Sequence, residues 1–309
     1  MASFHLQPSP FTIIWILRID RNRPMEWLAA PLGFARYLLT AFVMYGCFLL
    51  VERLCPVEPH QPWRHLRFNL VWYIVYSLIS VSLQATGIGL FVTVIQGWLG
   101  APFIHLPIPQ DPLAYGLMAL LYFLVTDFFY YWFHRWQHTT AFLWEQHKLH
   151  HSEVSLNVTS TRRVHWLEDP LLLLFLGLPM GLLFQFNGLA MGILAFVQIL
   201  WLQFIHMNLR LELGWLSPIV TGPQYHRIHH SFQDAHLDKN FAAFFPIWDI
   251  VFGTYHHPLQ GEFPATGLAS GETYDNLWLA TILPFREWLG PNYLGRFSQR
   301  KMNTRDLRK

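Results

Sequence analysis

The stretch FLVTDFFYYWFHRWQH, residues 123–138, leads an apolar segment directly into a pair of histidines. It completes the apolar run Leu113–Phe133, which has about the 20 residues that a membrane-spanning helix needs. His134 and His138 follow at a spacing of four, and residues four apart lie on one face of a helix. The sequence therefore predicts a helix that leaves the bilayer with two imidazoles on one side.

The composition is typical of a membrane protein. Of the 309 residues, 53% are hydrophobic and 13% are charged, whereas globular proteins average about 25% charged residues. A soluble fold of this length cannot cover so much apolar surface. The net charge of +2 and the absence of a dense basic stripe exclude nucleic acid as a partner. Two cysteines are too few for a disulfide framework or a cysteine-type zinc site.

Other apolar segments predict a multi-pass, all-α membrane bundle of about four to five spans. The segments are Phe34–Val51, Phe68–Leu99, Leu113–Phe133, and a hairpin of Leu171–Phe184 and Leu189–Ile205. The second segment is long, and its Gln84–Gly89 region is expected to break or kink it. The N-terminal stretch Phe11–Leu17 is interpreted as an interfacial segment that does not span.

The chain reads as a single integral-membrane domain over residues 1–309, with a histidine-rich core at about 115–257 and a basic tail at 286–309. Basic residues flank the third span and follow the hairpin, whereas the loop 100–112 has none. By the positive-inside rule, the histidine-rich part forms a helical cap on the cytoplasmic face. The orientation of the N-terminus and the exact span count stay open.

Histidine is the most unusual feature of the composition. The chain has 17, and ten of them lie between His134 and His230. They form an HxxxH box at 134–138 and two HxxHH boxes at 147–151 and 226–230. Chance supplies only roughly 0.05 copies of HxxHH in a chain of this composition. Because positions i, i+3 and i+4 share a helix face, each box is expected to present its imidazoles to one point.

Eight imidazoles in three boxes suit two metal ions better than one, because zinc sites normally close at four ligands. Imidazole suits iron, zinc and copper alike, and the Glu-x-x-His pairs of soluble di-iron bundles are missing from this sequence. We predict a pair of iron ions, with zinc as the alternative. A membrane zinc hydrolase or a non-enzymatic metal-binding protein also stays open, although no HExxH motif is present.

Six stretches resemble the fatty acid hydroxylase and sterol desaturase superfamily, and more narrowly its branch of alkylglycerol monooxygenases and sterol C5-desaturases. They are Asp127–Arg135, Trp144–Glu153, Gln203–His206, Tyr225–His230, Asp238–Phe241 and Trp248–Thr254. The resemblance covers about residues 115–257. It implies an O2-dependent, iron-containing membrane oxygenase that hydroxylates or desaturates a lipid C–H bond. It also implies a fatty acyl, sterol or ether lipid as substrate and electrons from a separate donor.

The resemblance further implies which residues bind the metals. The box residues are His134, His138, His147, His150, His151, His226, His229 and His230, and His206 matches a further family histidine. No catalytic side chain beyond these ligands, and no other cofactor, is expected. His165 lies near a position where some relatives carry histidine, and its role stays open.

Hydrogen-bond partners of the metal-binding imidazoles are also expected, because a metal-bound imidazole usually donates its other N–H to a carboxylate or a carbonyl. Asp127 lies seven residues, or two helical turns, before His134. The other candidates are Asp238, Asn240 and Asp249. Of the remaining histidines, His65 is expected at the surface or at an interface, and His236 is expected in a surface loop.

Overall fold

A computed structural model of the chain describes residues 31–83, 94, 97–98, 104–105, 111–185 and 188–290. The expected interfacial segment at residues 11–17, the expected break at 84–89 and the tail beyond residue 290 lie outside the described residues. The helices of the described part are α1 (Pro31–Glu52), α2 (Trp63–Leu83), α3 (Pro112–Thr139), α4 (Ala141–His151), α5 (Glu168–Leu172), α6 (Leu178–Leu183), α7 (Gly188–Ile205), α8 (Pro223–His229), α9 (Ile247–Val251) and α10 (Leu277–Trp288).

Three of these helices, α1, α2 and α3, are long and apolar enough to cross a membrane, and α7 adds a shorter apolar helix over residues 193–205. They correspond to the first three predicted spans and to the second arm of the predicted hairpin. The helix α2 begins at Trp63, earlier than the predicted start of the apolar segment at Phe68. The residues before Phe68, several of them polar, form the first turns of the helix.

The helix α3 continues through the first histidine box, as the opening stretch predicts. It ends at Thr139, so His134 and His138 lie in its last turns. Its start is fixed by Asp111, whose carboxylate accepts a hydrogen bond from the Ala114 N–H at 2.8 Å. One uninterrupted helix of 28 residues therefore connects the apolar region to the histidines.

The hairpin is the second feature that positions the histidines. Its first arm runs without a break from α5 through a π-helical turn, Leu173–Gly177, into α6. The residues that directly follow α6, Phe184–Gln185, form a short strand that pairs in parallel with Ile104–His105. These two strands form the one sheet of the described residues. The structure thus bears out an α-helical fold for the part it describes.

Two apolar clusters hold the helices around the histidines. One joins α3 to the hairpin through Tyr122, Leu176, Met180 and Leu194. The other packs α1 and α2 against the segments that follow α4 and precede α10. A short 3₁₀ helix, Val158–Arg162, contacts α1, α2, α4 and α7. The polar segments between the helices are therefore fastened to the apolar bundle.

Candidate metal centre

Four helices bring nine histidines together. Two lie at the end of α3 and three in the last turns of α4. One directly follows α7, and the other three lie on α8 and its C-terminal cap. Each imidazole is at least nine-tenths buried. The nine are His134, His138, His147, His150, His151, His206, His226, His229 and His230. This set coincides with the nine histidines singled out from the sequence, and their role as metal ligands is taken up below as a proposal.

The nine imidazoles form two neighbouring groups, in each of which the possible ligand atoms lie within 4.8 Å of one another. The groups touch through the rings of His151 and His230, which stack with centroids 4.4 Å apart. The first group has five members and the second has four. The five are His134, His138, His147, His151 and His229, and the four are His150, His206, His226 and His230.

The HxxxH box contributes both of its histidines to one group, as expected, but the two HxxHH boxes do not point to one place. In the box at 147–151, the first and last histidines belong to the five-membered group and His150 to the other. In the box at 226–230, His229 is likewise separated from its two neighbours. On a helix, positions i+3 and i+4 lie on either side of position i and differ by about 100° in direction. An HxxHH box can therefore contribute to two centres at once.

The distances between ring nitrogens fit metal binding. In the four-membered group, the Nε2 atom of His206 lies 3.1 Å from that of His150 and 3.0 Å from that of His226. In the five-membered group, the Nε2 atoms of His138 and His151 are 3.0 Å apart. Two nitrogens bound about 2.1 Å from one ion at right angles are themselves about 3.0 Å apart. The donor sets of both groups therefore fit a metal ion.

Backbone carbonyls hold three of the rings from behind. The Nδ1 atom of His134 lies 2.8 Å from the Phe241 carbonyl, that of His229 lies 2.8 Å from the Lys239 carbonyl, and that of His206 lies 2.6 Å from the Leu202 carbonyl. A ring that donates Nδ1–H to a carbonyl presents the lone pair of Nε2 on its other side. In His134 and His229 this Nε2 is buried and has no hydrogen-bond partner, as expected of a ligand atom.

Two of these carbonyls, those of Lys239 and Phe241, belong to the loop 238–245, and two of the carboxylates predicted to contact imidazoles shape this loop. Asp127 accepts hydrogen bonds from the backbone N–H groups of residues 243, 244 and 245 at 2.8–3.1 Å. Asp249 accepts from the N–H groups of Phe241 and Ala242, both at 2.8 Å. The expected direct contact of these carboxylates with imidazoles is not observed. They act on the loop, which in turn holds the rings.

The other two predicted partners differ from each other. Asp238 does lie beside an imidazole, with its Oδ1 atom 3.6 Å from Nδ1 of His138. Asn240 does not, because its amide binds the backbone of Tyr225 and His256. Both residues have positive φ angles, 55° and 60°, in the left-handed region that Asp and Asn tolerate better than most residues.

Glu168 is a partner that sequence reasoning missed. Its Oε2 atom lies 4.0 Å from Nδ1 of His147 and accepts a hydrogen bond from Gln137 at 2.7 Å. The available signal was a carboxylate at the very start of an apolar hairpin, where a buried charge is costly without a partner. The carbonyls of Leu202, Lys239 and Phe241 carry no side-chain signal at all.

Burial favours the neutral form of the imidazoles in this cluster. It lowers the pKa of five of them well below the ordinary histidine value, and neighbouring imidazoles lower the pKa of each of the five further. The neutral ring is the form that binds metal. The five are His150, His151, His226, His229 and His230.

Three histidines outside the boxes are also placed. His165 belongs to neither group: its Nε2 binds the Thr281 carbonyl at 2.8 Å, and its Nδ1 accepts from the Leu167 N–H at 3.2 Å. The expectation of surface positions for His65 and His236 is wrong, because both are 3% exposed. Each faces a carboxylate, Glu153 in the first case and Glu262 in the second, and such pairing across the fold leaves no local sequence signal.

Comparison with known proteins gives a consistent result. The family model described as fatty acid hydroxylase matches residues 119–254. The chain is 36% identical to an alkylglycerol monooxygenase of Danio rerio over 161 residues, which is 50% of this chain and 33% of that protein. It is 30% identical to the ornithine lipid hydroxylase OlsE of Rhizobium tropici over 225 residues, 68% of this chain and 63% of that protein.

A methylsterol monooxygenase of Arabidopsis thaliana is 30% identical over 161 residues, covering 46% of this chain and 53% of that protein. The chain spans about a third of the length of the alkylglycerol monooxygenases it matches. No solved structure matches it significantly. The matched region contains all nine clustered histidines together with the loop that holds them.

Proposed function

We propose that this protein, whose residues 119–254 match the fatty acid hydroxylase family model, is a multi-pass membrane oxygenase that hydroxylates a lipid C–H bond at a centre of two iron ions. The observation that carries the proposal is the division of nine buried imidazoles into two adjacent groups of five and four. One group for each ion accounts for every histidine in the cluster. Imidazole alone does not exclude zinc.

In the proposed centre, the five-membered group holds one ion and the four-membered group holds the other. Bound there, the iron pair would supply the activation of O2. One oxygen atom enters the lipid as a hydroxyl group and the other leaves as water, which consumes two electrons and two protons from a separate donor. The three relatives described above are named as monooxygenases or as a lipid hydroxylase, which favours hydroxylation over desaturation.

The chain's own residues have three tasks in this proposal. The imidazoles stay neutral by burial and bind the ions. The carbonyls of Lys239 and Phe241, with Asp238, orient the rings of the five-membered group. The apolar helix α3 places the centre at one end of a candidate span, where a lipid can reach it without leaving the bilayer. By the distribution of basic residues, that end faces the cytoplasm.

The test combines metal analysis with isotope labelling. Wild-type protein and a His150→Ala variant are expressed under iron-replete conditions in the same host, and the cells are grown under ¹⁸O2. We expect close to two iron atoms per chain in the purified wild-type protein, and a lipid carrying one ¹⁸O atom only in wild-type cells. Zinc as the sole metal with full activity, or a product oxygen derived from water, would exclude the iron oxygenase.

A further inference from the structure

A third group of possible metal ligands lies outside the nine-histidine cluster. It consists of His236, His256 and Glu262, whose possible ligand atoms lie within 4.8 Å of one another. We propose that these three side chains form a separate site for one divalent transition-metal ion of the zinc or iron class. This inference does not depend on the oxygenase function proposed above, because it rests on a different set of residues.

The distances between the three side chains fit one shared ion. The Nε2 atom of His236 lies 3.0 Å from Oε1 of Glu262. The Nε2 atom of His256 lies 3.2 Å and 3.3 Å from the two oxygens of the same carboxylate. Ligand atoms about 2.1 Å from one ion are about 3.0 Å apart at right angles and about 3.4 Å apart in a tetrahedron. The observed separations lie within this range.

The carboxylate is held in place independently of the two imidazoles. Its Oε2 atom accepts a hydrogen bond from the Leu259 N–H at 2.8 Å. The Gln224 amide on α8 donates to the backbone carbonyls of Leu259 and Glu262 at 2.7 and 3.1 Å. The segment that carries Glu262 is therefore fastened to the same helix that carries the third histidine box.

The imidazoles are positioned by the fold as well. His256 is fixed through its backbone, because its N–H donates to the Asn240 side chain at 2.8 Å and its carbonyl accepts from the Asn240 amide at 3.2 Å. The His236 ring is 3% exposed. Two loops and α8 thus hold all three ligands before any ion binds, which lowers the entropic cost of binding.

The donor set indicates the class of ion. Two neutral nitrogens and one carboxylate suit zinc and divalent iron, whereas calcium and magnesium prefer oxygen ligands alone. The side chains of His256 and Glu262 are 22% and 18% exposed. Further coordination positions are therefore open to water, as in sites with two histidines and one carboxylate.

An ion at this site would also support the main cluster. His236 lies two residues before the loop 238–245, and the Lys239 carbonyl of that loop binds the imidazole of His229. Joining His236 to His256 and Glu262 closes a loop through this segment. We expect the third ion to be a structural metal ion that stabilises this segment and takes no part in the oxidation chemistry.

The experiment counts ions on the full-length protein in detergent. Wild-type protein already loaded with iron is titrated with Zn²⁺, next to the variants His256→Ala and Glu262→Gln. The matched control is His257→Ala, which removes the neighbouring, exposed imidazole. We expect wild-type protein and the control to bind one more ion than His256→Ala. Glu262→Gln should bind that ion at least about tenfold more weakly.

Equal binding by wild-type protein and His256→Ala would show that the three side chains form only a hydrogen-bonded cluster, and would overturn the proposal. Loss of the ion in the control would do the same. If His256→Ala fails to fold, Glu262→Gln decides alone, because its amide oxygen can still accept from Leu259. If the purified protein carries no iron but wild-type protein still binds one zinc ion more than His256→Ala, the proposed oxygenase centre is refuted and the third site stands.

Discussion

At the residue scale, the decisive property of the cluster is that neighbouring histidines in one box serve different groups. His150 and His229 are the i+3 members of their boxes and point away from the other box members. Each is therefore assigned to a different ion of the proposed pair. This makes the two residues a sharper probe of the centre than any two histidines from the same group.

We expect His150→Ala and His229→Ala each to lower lipid oxidation by at least about 100-fold and to lose about one iron atom per chain, because each opens the coordination of one ion. Both variants should remain in the membrane fraction, since insertion depends on the apolar helices. Metal analysis and lipid mass spectrometry of purified membranes provide the measurement. His60→Ala, at an exposed position, is the control, and near wild-type turnover by either variant would contradict the ligand assignment.

A second residue-scale prediction concerns Asp249, which holds the loop behind the rings. Its two oxygens accept from Phe241, Ala242, Thr254 and the Tyr225 hydroxyl at 2.5–2.8 Å. In Asp249→Asn, an NH2 group replaces one of the two accepting oxygens and faces N–H or O–H donors. The loop would then shift, and the Phe241 carbonyl would lose its fixed position against the imidazole of His134. We expect metal affinity to fall about 10- to 100-fold.

Competition with a chelator of known affinity measures this effect. The control is Asp234→Asn, an exposed position close to the same loop, which should leave metal affinity unchanged. An Asp249→Asn protein that holds iron as tightly as wild-type protein would show that the loop is fixed by other contacts.

At the scale of secondary-structure elements, the fold depends on how the histidine-rich segments are fastened to the apolar helices. Arg163 makes the clearest of these connections, and its guanidinium group is fully buried. It binds Asp275 at 2.8 Å and Asn69 of α2 at 3.0 Å, and it also lies 3.4 Å from Glu153. One side chain therefore connects α2, the segment after α4 and the segment before α10.

We expect Arg163→Met to lower the free energy of unfolding by roughly 3–5 kcal/mol, because it removes the fully buried cation that is paired with Glu153 and Asp275. The midpoint of thermal unfolding in detergent is the measurement. Arg53→Met at an exposed position is the control and should change the midpoint little. Equal midpoints for Arg163→Met and wild-type protein would mean that the buried ion pairs do not hold these elements together.

At the scale of the whole molecule, the position of the cluster at the end of α3 suggests how a substrate reaches it. Aromatic residues of α3 precede the cluster, and Phe133 stacks on Phe175 of the hairpin with centroids 5.4 Å apart. An apolar tail shielded by such residues avoids contact with water, which would cost about 0.8 kcal/mol per CH2 group. Entry from the side, through the bilayer, is therefore favoured for a lipid.

We predict a mostly apolar cavity that runs from the two histidine groups into the bilayer core, with polar groups only near the metals. An experimental structure in lipid nanodiscs with bound substrate should show the acyl or sterol part between α3 and the hairpin. A cluster that opens only to the cytoplasm, above spans packed solid beneath it, would contradict a lipid substrate.

The sequence by itself determined the apolar helices, the continuation of α3 into the first box and the identity of the eight histidines in the three boxes. These are local properties, since the length of an apolar run and the spacing of residues on a helix can be read from neighbouring positions. Tertiary structure alone decided how the imidazoles divide into two groups and which carbonyls hold them. It also directed Asp127 and Asp249 to the loop and brought His236 to Glu262. These contacts join segments distant in sequence, such as Asp127 and the loop 243–245. No local pattern encodes them, because they arise only when the helices pack.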